Sequence, residues 1–137
     1  MDVLMEQAFV NAFVHKNQRD RLLHALASSK LRKHCILHFS HEIEKYIKTD
    51  AVHSCTTKHG IQSLLEQIQL ISPSSTCYIL SPSDTYDGQL MPLRQAVEET
   101  FYVGTAVILI IDERTAVIKD EQEDDAPMRY ILHNAKA

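Results

Sequence analysis

Apolar residues recur at helical spacing through the first half of the chain and gather into short unbroken runs in the second, and this change of pattern organises the sequence. Between Val3 and Val14, the residues Leu4, Ala8, Phe9, Ala12 and Phe13 share one helical stripe, with Asp2 placed to cap it. A second, short helix capped by Asn17 carries Leu22, Leu23 and Leu26 and ends at Ser28-Ser29. The third and longest helix runs from Lys30 to about Lys48, with Leu31, Cys35, Phe39, Ile43 and Tyr46 in one arc. Residues 49–59 lack periodicity and read as a connector. Ile61, Leu64, Leu65, Ile68 and Ile71 define a fourth, amphipathic helix that stops at Ser72-Pro73-Ser74-Ser75.

Beyond this break, Thr76 to Ser81 reads as a buried strand and Ser81 to Gly88 as a loop of turn-forming residues. Pro92 suits the first turn of a helix whose apolar face is Leu93, Ala96, Val97 and Phe101, and Gly104 ends it. Thr105 to Ile111 is the most apolar strand and predicts a central place in a sheet. Asp112-Glu113-Arg114 reads as a hairpin turn, and Thr115 to Asp120 as the returning strand. An acidic loop over residues 120–127 follows, then a last strand, Arg129 to His133. The expected fold is α+β, with about four N-terminal helices on one face of a small C-terminal mixed sheet in the order β-α-β-β-β. The expected organisation is one domain over residues 1–137, with a subdivision into 1–72 and 73–137 left open.

Composition narrows the class. Cys35, Cys55 and Cys77 are odd in number and form no C-x-x-C pair, which argues against a disulfide framework and for a reducing compartment. The start of the chain has an acid at Asp2 and no basic stretch before its apolar residues, unlike a secretory signal. The longest apolar run, Ala106 to Ile111, is too short for a membrane span. A cytoplasmic protein with no membrane partner is expected.

Charge is polarised. Residues 1–70 hold 9 Lys/Arg against 7 Asp/Glu, and residues 71–137 hold 5 against 11. Seven of the eight histidines fall in the first 59 residues. Such asymmetry suits either mutual attraction of the halves or a charged partner.

Two constellations carry candidate chemistry. His34, His38 and His41, spaced i, i+4, i+7, lie on one face of the third helix, and Lys45 continues the row. Histidines four apart can share a metal, but Cys35 stands where a zinc protease motif needs its glutamate. Arg32, Lys33 and Lys45 around the stripe favour an anion or an acidic partner over a cation. No metal or other cofactor is expected; the metal candidates are His34, His38 and His41 on the helix, while Asp84 and Asp87 further on could ligate a hard cation such as Mg²⁺. The second constellation is the loop Ser81–Gly88 after the first strand, with Ser81, Asp84 and Asp87 as candidate catalytic groups. It lacks both the nucleophile elbow and the phosphate-binding glycine loop. Asp84 and Asp87 could equally be ordinary turn residues.

The acids of the C-terminal part, Asp112, Glu113, Asp120, Glu121, Glu123, Asp124 and Asp125, do not form a two-metal nuclease pattern. Val117-Ile118-Lys119 has an apolar residue where the second acid would stand. The acidic balance and the few aromatics beside Lys30, Arg32, Lys33 and Lys48 also speak against nucleic acid as partner.

Several short stretches, Cys77-Tyr78-Ile79-Leu80-Ser81, Asp87-Gly88, Gly104-Thr105, Arg114 and Arg129-Tyr130-Ile131-Leu132, together resemble a family of short uncharacterised bacterial cytosolic proteins. Phe9-Val10, Arg21-Leu22-Leu23 and His41 fit the same pattern. The resemblance implies no activity; it draws attention to Ser81, Asp87, Arg114 and Arg129. The expected function is a small non-enzymatic binding or regulatory protein, for example an inhibitor or immunity-type protein, whose partner is another protein. The alternative is a small hydrolase or nucleic-acid-processing enzyme with its polar site at Ser81–Asp87.

Overall fold

Among the described residues, 2–56, 60–102, 104–121 and 128–136, the computed structural model contains six strands in one sheet. They are β1 (Val52–Thr56), β2 (Thr76–Leu80), β3 (Leu90–Pro92), β4 (Val107–Asp112), β5 (Thr115–Lys119) and β6 (Arg129–His133). Their order across the sheet is β1-β6-β5-β4-β2-β3, and every neighbouring pair is antiparallel. The helices are α1 (Val3–Phe13), α2 (Lys16–Ala27), α3 (Arg32–His41), α4 (Ile43–Tyr46), α5 (Ile61–Ile71) and α6 (Leu93–Thr100).

The unbroken apolar runs have a simple cause: the sheet is covered on both faces. Tyr78, Leu80, Ile108, Ile110, Ala116, Ile118 and Leu132 pack in one core with Phe9, Val10, Phe13, Leu22, Ile36 and Phe39 of α1–α3. The alternate residues Cys77, Ile79, Val107, Leu109, Ile111, Val117 and Ile131 pack with Leu64, Leu65 and Ile68 of α5 and Leu93, Ala96 and Val97 of α6. Successive strand residues point to opposite faces, so a strand buried on both sides must be apolar throughout.

The α+β class and the N-terminal helices stand, but the sheet is antiparallel rather than mixed, and helices lie on both of its faces. The reason is β3. This three-residue strand reverses the chain against β2 before α6 begins. The connection from β2 to β4 therefore contains a hairpin as well as a helix, and β4 enters antiparallel to β2. Without β3 the same stretch looks like a parallel crossover.

The connector at residues 49–59 is also more ordered than expected. Thr49–Ala51 is a short 3-10 turn, and Val52–Thr56 forms the edge strand β1 on β6, with a register shift between Val52 and Ser54. Residues 57–59 of that stretch lie outside the described residues, as do 122–127 of the acidic loop. The long third helix is broken: α3 ends at His41, Glu42 leaves helical geometry at φ −119°, ψ 54°, and α4 adds one more turn. The second helix starts after His15 rather than Asn17. Asp2 caps α1 as expected, its carboxylate accepting from the Met5 amide at 3.2 Å. No helix among the described residues is long and apolar enough to cross a membrane.

Candidate functional site

Four segments bring polar side chains into the first core. On α1, Glu6 shares the inward arc of Phe9, Val10 and Phe13, so its carboxylate is carried inside. On α3, Arg32 shares the arc of Ile36 and Phe39. On β2, Tyr78 points to the same face as Leu80. The loop after β2 winds through hydrogen bonds from the Tyr86 and Asp87 amides to the Ser83 carbonyl, and closes at Gly88, whose φ of 78° suits glycine. This coil turns Asp87 inward.

The four groups meet around Arg32. Its Nε donates to Asp87 Oδ2 at 2.6 Å and its Nη2 to Asp87 Oδ1 at 3.0 Å. Nη1 and Nη2 donate to Glu6 Oε1 and Oε2 at 2.6 and 2.9 Å. Nη1 also donates to the Leu26 carbonyl at 3.0 Å. A guanidinium has five N–H donors, and all five are used. Tyr78 Oη donates to Glu6 Oε2 at 2.5 Å and accepts from the Asp2 amide at 3.0 Å. Asp87 Oδ1 accepts a further bond from the Ser81 amide at 3.1 Å.

The network is buried: Arg32 and Glu6 are each 6% exposed. Burial acts to lower the Arg32 pKa, but the hydrogen bonds and charges of Asp87 and Glu6 outweigh it, and the net shift is upward. Burial, reinforced by the bond to Glu6, pushes the Tyr78 hydroxyl up to about 12, so it remains a donor. Three ionic groups from segments far apart in sequence thus hold α1, α3 and the β2–β3 loop together.

Arg32 is therefore spent on the fold and has no N–H left for an external anion, which corrects its expected role as an anion or partner contact. Asp87 and Ser81 are drawn into the same scaffold; Ser81 is 2% exposed, and its hydroxyl accepts from the Ser83 amide at 3.0 Å. Asp84 stays at the surface in an ion pair with Lys33 at 3.1 Å.

The other loop partners do not converge on this place. Leu80 pairs with Ile108 at the start of β4, whereas Arg114 follows β4 at the opposite end of the sheet. There it lines a cleft of about 450 Å³ with Met5 and Ala8 of α1. Arg129 lies across from Lys119, with its guanidinium over the Phe101 ring at 5.4 Å, so it belongs to the α5–α6 face.

The remaining basic candidates share the outer side of α3 and α4. Lys33, His34, His41 and Lys45 are exposed, and His38 is half-buried. The His34 and His38 rings stack with centroids 5.9 Å apart, and His38 meets the edge of the Tyr46 ring. Glu42 lies within 3.5 Å of His38 and 3.7 Å of Lys45, the i,i+4 and i,i+3 spacings that place side chains on one helical side. His41 lies 3.6 Å from Asp120. Among the described residues, no three His, Cys, Asp or Glu side chains are grouped to hold a metal ion.

Glu6 and Tyr78 are site-forming residues that spacing arguments passed over. A signal was present for the first: a carboxylate on the Phe9–Val10–Phe13 arc has no place in a core unless a cation meets it. Comparison with known protein families, with curated proteins and with solved structures finds no match to this chain.

Proposed function

We propose that the chain is a cytoplasmic, non-enzymatic binding or regulatory protein, of the inhibitor or immunity type, that engages an acidic partner protein through the outer side of α3 and α4. One observation carries this reading. The same helix withdraws Arg32 into a saturated ionic network and leaves Lys33, His34, His41 and Lys45 outside on a rigid base. A clamped helix presents its outer side chains from a fixed backbone, which lowers the ordering cost of a specific contact. Lys33 and Lys45 supply positive charge toward a negative surface, in competition with their neighbours Asp84 and Glu42.

The test is recovery of bound proteins from the native cell with the wild-type chain and with a variant carrying His34→Ala, His38→Ala, His41→Ala, Lys33→Glu and Lys45→Glu. A partner recovered by the wild type is expected to be lost from the variant, whose denaturation midpoint stays close to wild type because the changes are at the surface. Recovery of the same partner by both chains contradicts the reading.

A further inference from the structure

A cleft of about 330 Å³ opens between α1 and α2. Val3, Leu23, Leu26 and Ala27 line it with the polar Gln7 and Ser29, and the buried pair Glu6 and Arg32 completes the lining. The geometry points to this cleft as a binding site for a small primary aliphatic amine, with the ammonium group on Glu6 and the carbon chain along the apolar walls.

Three properties of the base select that chemistry. First, all five Arg32 donors are engaged, so the one cation lining the cleft has no N–H left for a carboxylate or phosphate. Second, the buried cluster sets two carboxylates, Glu6 and Asp87, against one guanidinium, which leaves a surplus of negative charge. Third, Glu6 retains acceptor capacity. Its Oε2 accepts from both Arg32 and Tyr78, whereas the one bond to Oε1 comes from Arg32. A carboxylate oxygen offers roughly two acceptor positions. One remaining position suits a compact ammonium better than a planar guanidinium, which needs two oxygens side by side. The four apolar residues Val3, Leu23, Leu26 and Ala27 then favour an aliphatic body. The volume stands at the small end of ligand pockets, which fits a whole small molecule.

The test is titration of the ¹⁵N-labelled protein with hexylammonium, 1-hexanol and hexanoate, following the backbone amides of Leu23, Leu26 and Ala27. Hexylammonium is expected to give saturable shifts. Hexanol is expected to bind at least about tenfold more weakly, the worth of one charged hydrogen bond, and hexanoate not to bind. Because Glu6→Gln disturbs the ionic network itself, the deciding variant is Ala27→Leu, which narrows the cleft without touching that network. It is expected to weaken hexylammonium at least about tenfold while the denaturation midpoint holds. Absence of a saturable shift, equal affinity for hexanol or hexanoate, or unchanged affinity in Ala27→Leu overturns the proposal. Tighter binding of an acetyl-lysine amide than of hexylammonium overturns the assignment to a free amine.

Discussion

Two buried cations, Arg32 and Lys119, occupy opposite faces of the same sheet and are accommodated in opposite ways. Arg32, on the α1–α4 side, meets two carboxylates and a carbonyl, and its charge is reinforced. Lys119, on the α5–α6 side, is fully buried opposite Arg129 across β5 and β6. Burial, aided by the Arg129 charge and opposed by Asp120, pushes its pKa down to about 8. The planar fork of arginine can be matched donor by donor, so it becomes a clamp between distant segments. The point charge of lysine can shed its proton, so its burial costs less than that of a fixed charge.

The contrast predicts different responses to losing each charge. Arg32→Met leaves Glu6 and Asp87 buried without their cation and should cost about 3–5 kcal/mol in urea denaturation. A loss below ~1 kcal/mol would mean that the network relaxes or takes up water. Tyr78→Phe removes the donor to Glu6 and the acceptor for the Asp2 amide, and should cost about 1–2 kcal/mol by the same measurement.

Lys119 gives the smallest effect and one with a distinctive sign. Its folded pKa of about 8 lies below the ordinary lysine value of 10.5, so between these limits the unfolded chain binds more protons, and stability rises with pH. From about pH 8 upward the thiols of Cys35 and Cys77, pushed up by burial to about 11 and about 12 from 9.0, act the other way, because the folded chain keeps protons that the unfolded chain releases. Between pH 8 and pH 9 the lysine contributes a rise of about 1 kcal/mol, partly offset by the two thiols, so it is read as the difference between wild type and Lys119→Met, which share those thiols. Lys119→Met should remove that rise and leave stability at pH 7 unchanged or slightly higher.

The sequence made some of this legible and hid the rest for definite reasons. The helix over Ile61–Ile71, the strand Arg129–His133 and the Glu113-Arg114 turn could be read because their periodicity or turn chemistry is local. The edge strand β1 could not, because His53, Ser54 and Thr56 break any apolar-polar alternation and the pairing is irregular at Val52/Ser54. The antiparallel course of the sheet depended on β3, three residues long. Nor does anything local to Arg32 reveal that its partners stand 26 and 55 positions away in sequence. From the sequence it looked like one more cation among Lys33, His34 and Lys45.

The central claim is that Arg32 is held by the geometry of its fork and not by charge alone. Arg32→Lys tests it most directly, because lysine keeps the charge but offers three donors to five acceptor contacts. The expected result is a loss of about 2–3 kcal/mol in urea denaturation. A variant as stable as wild type would show that a positive charge at this place suffices, and would contradict the account.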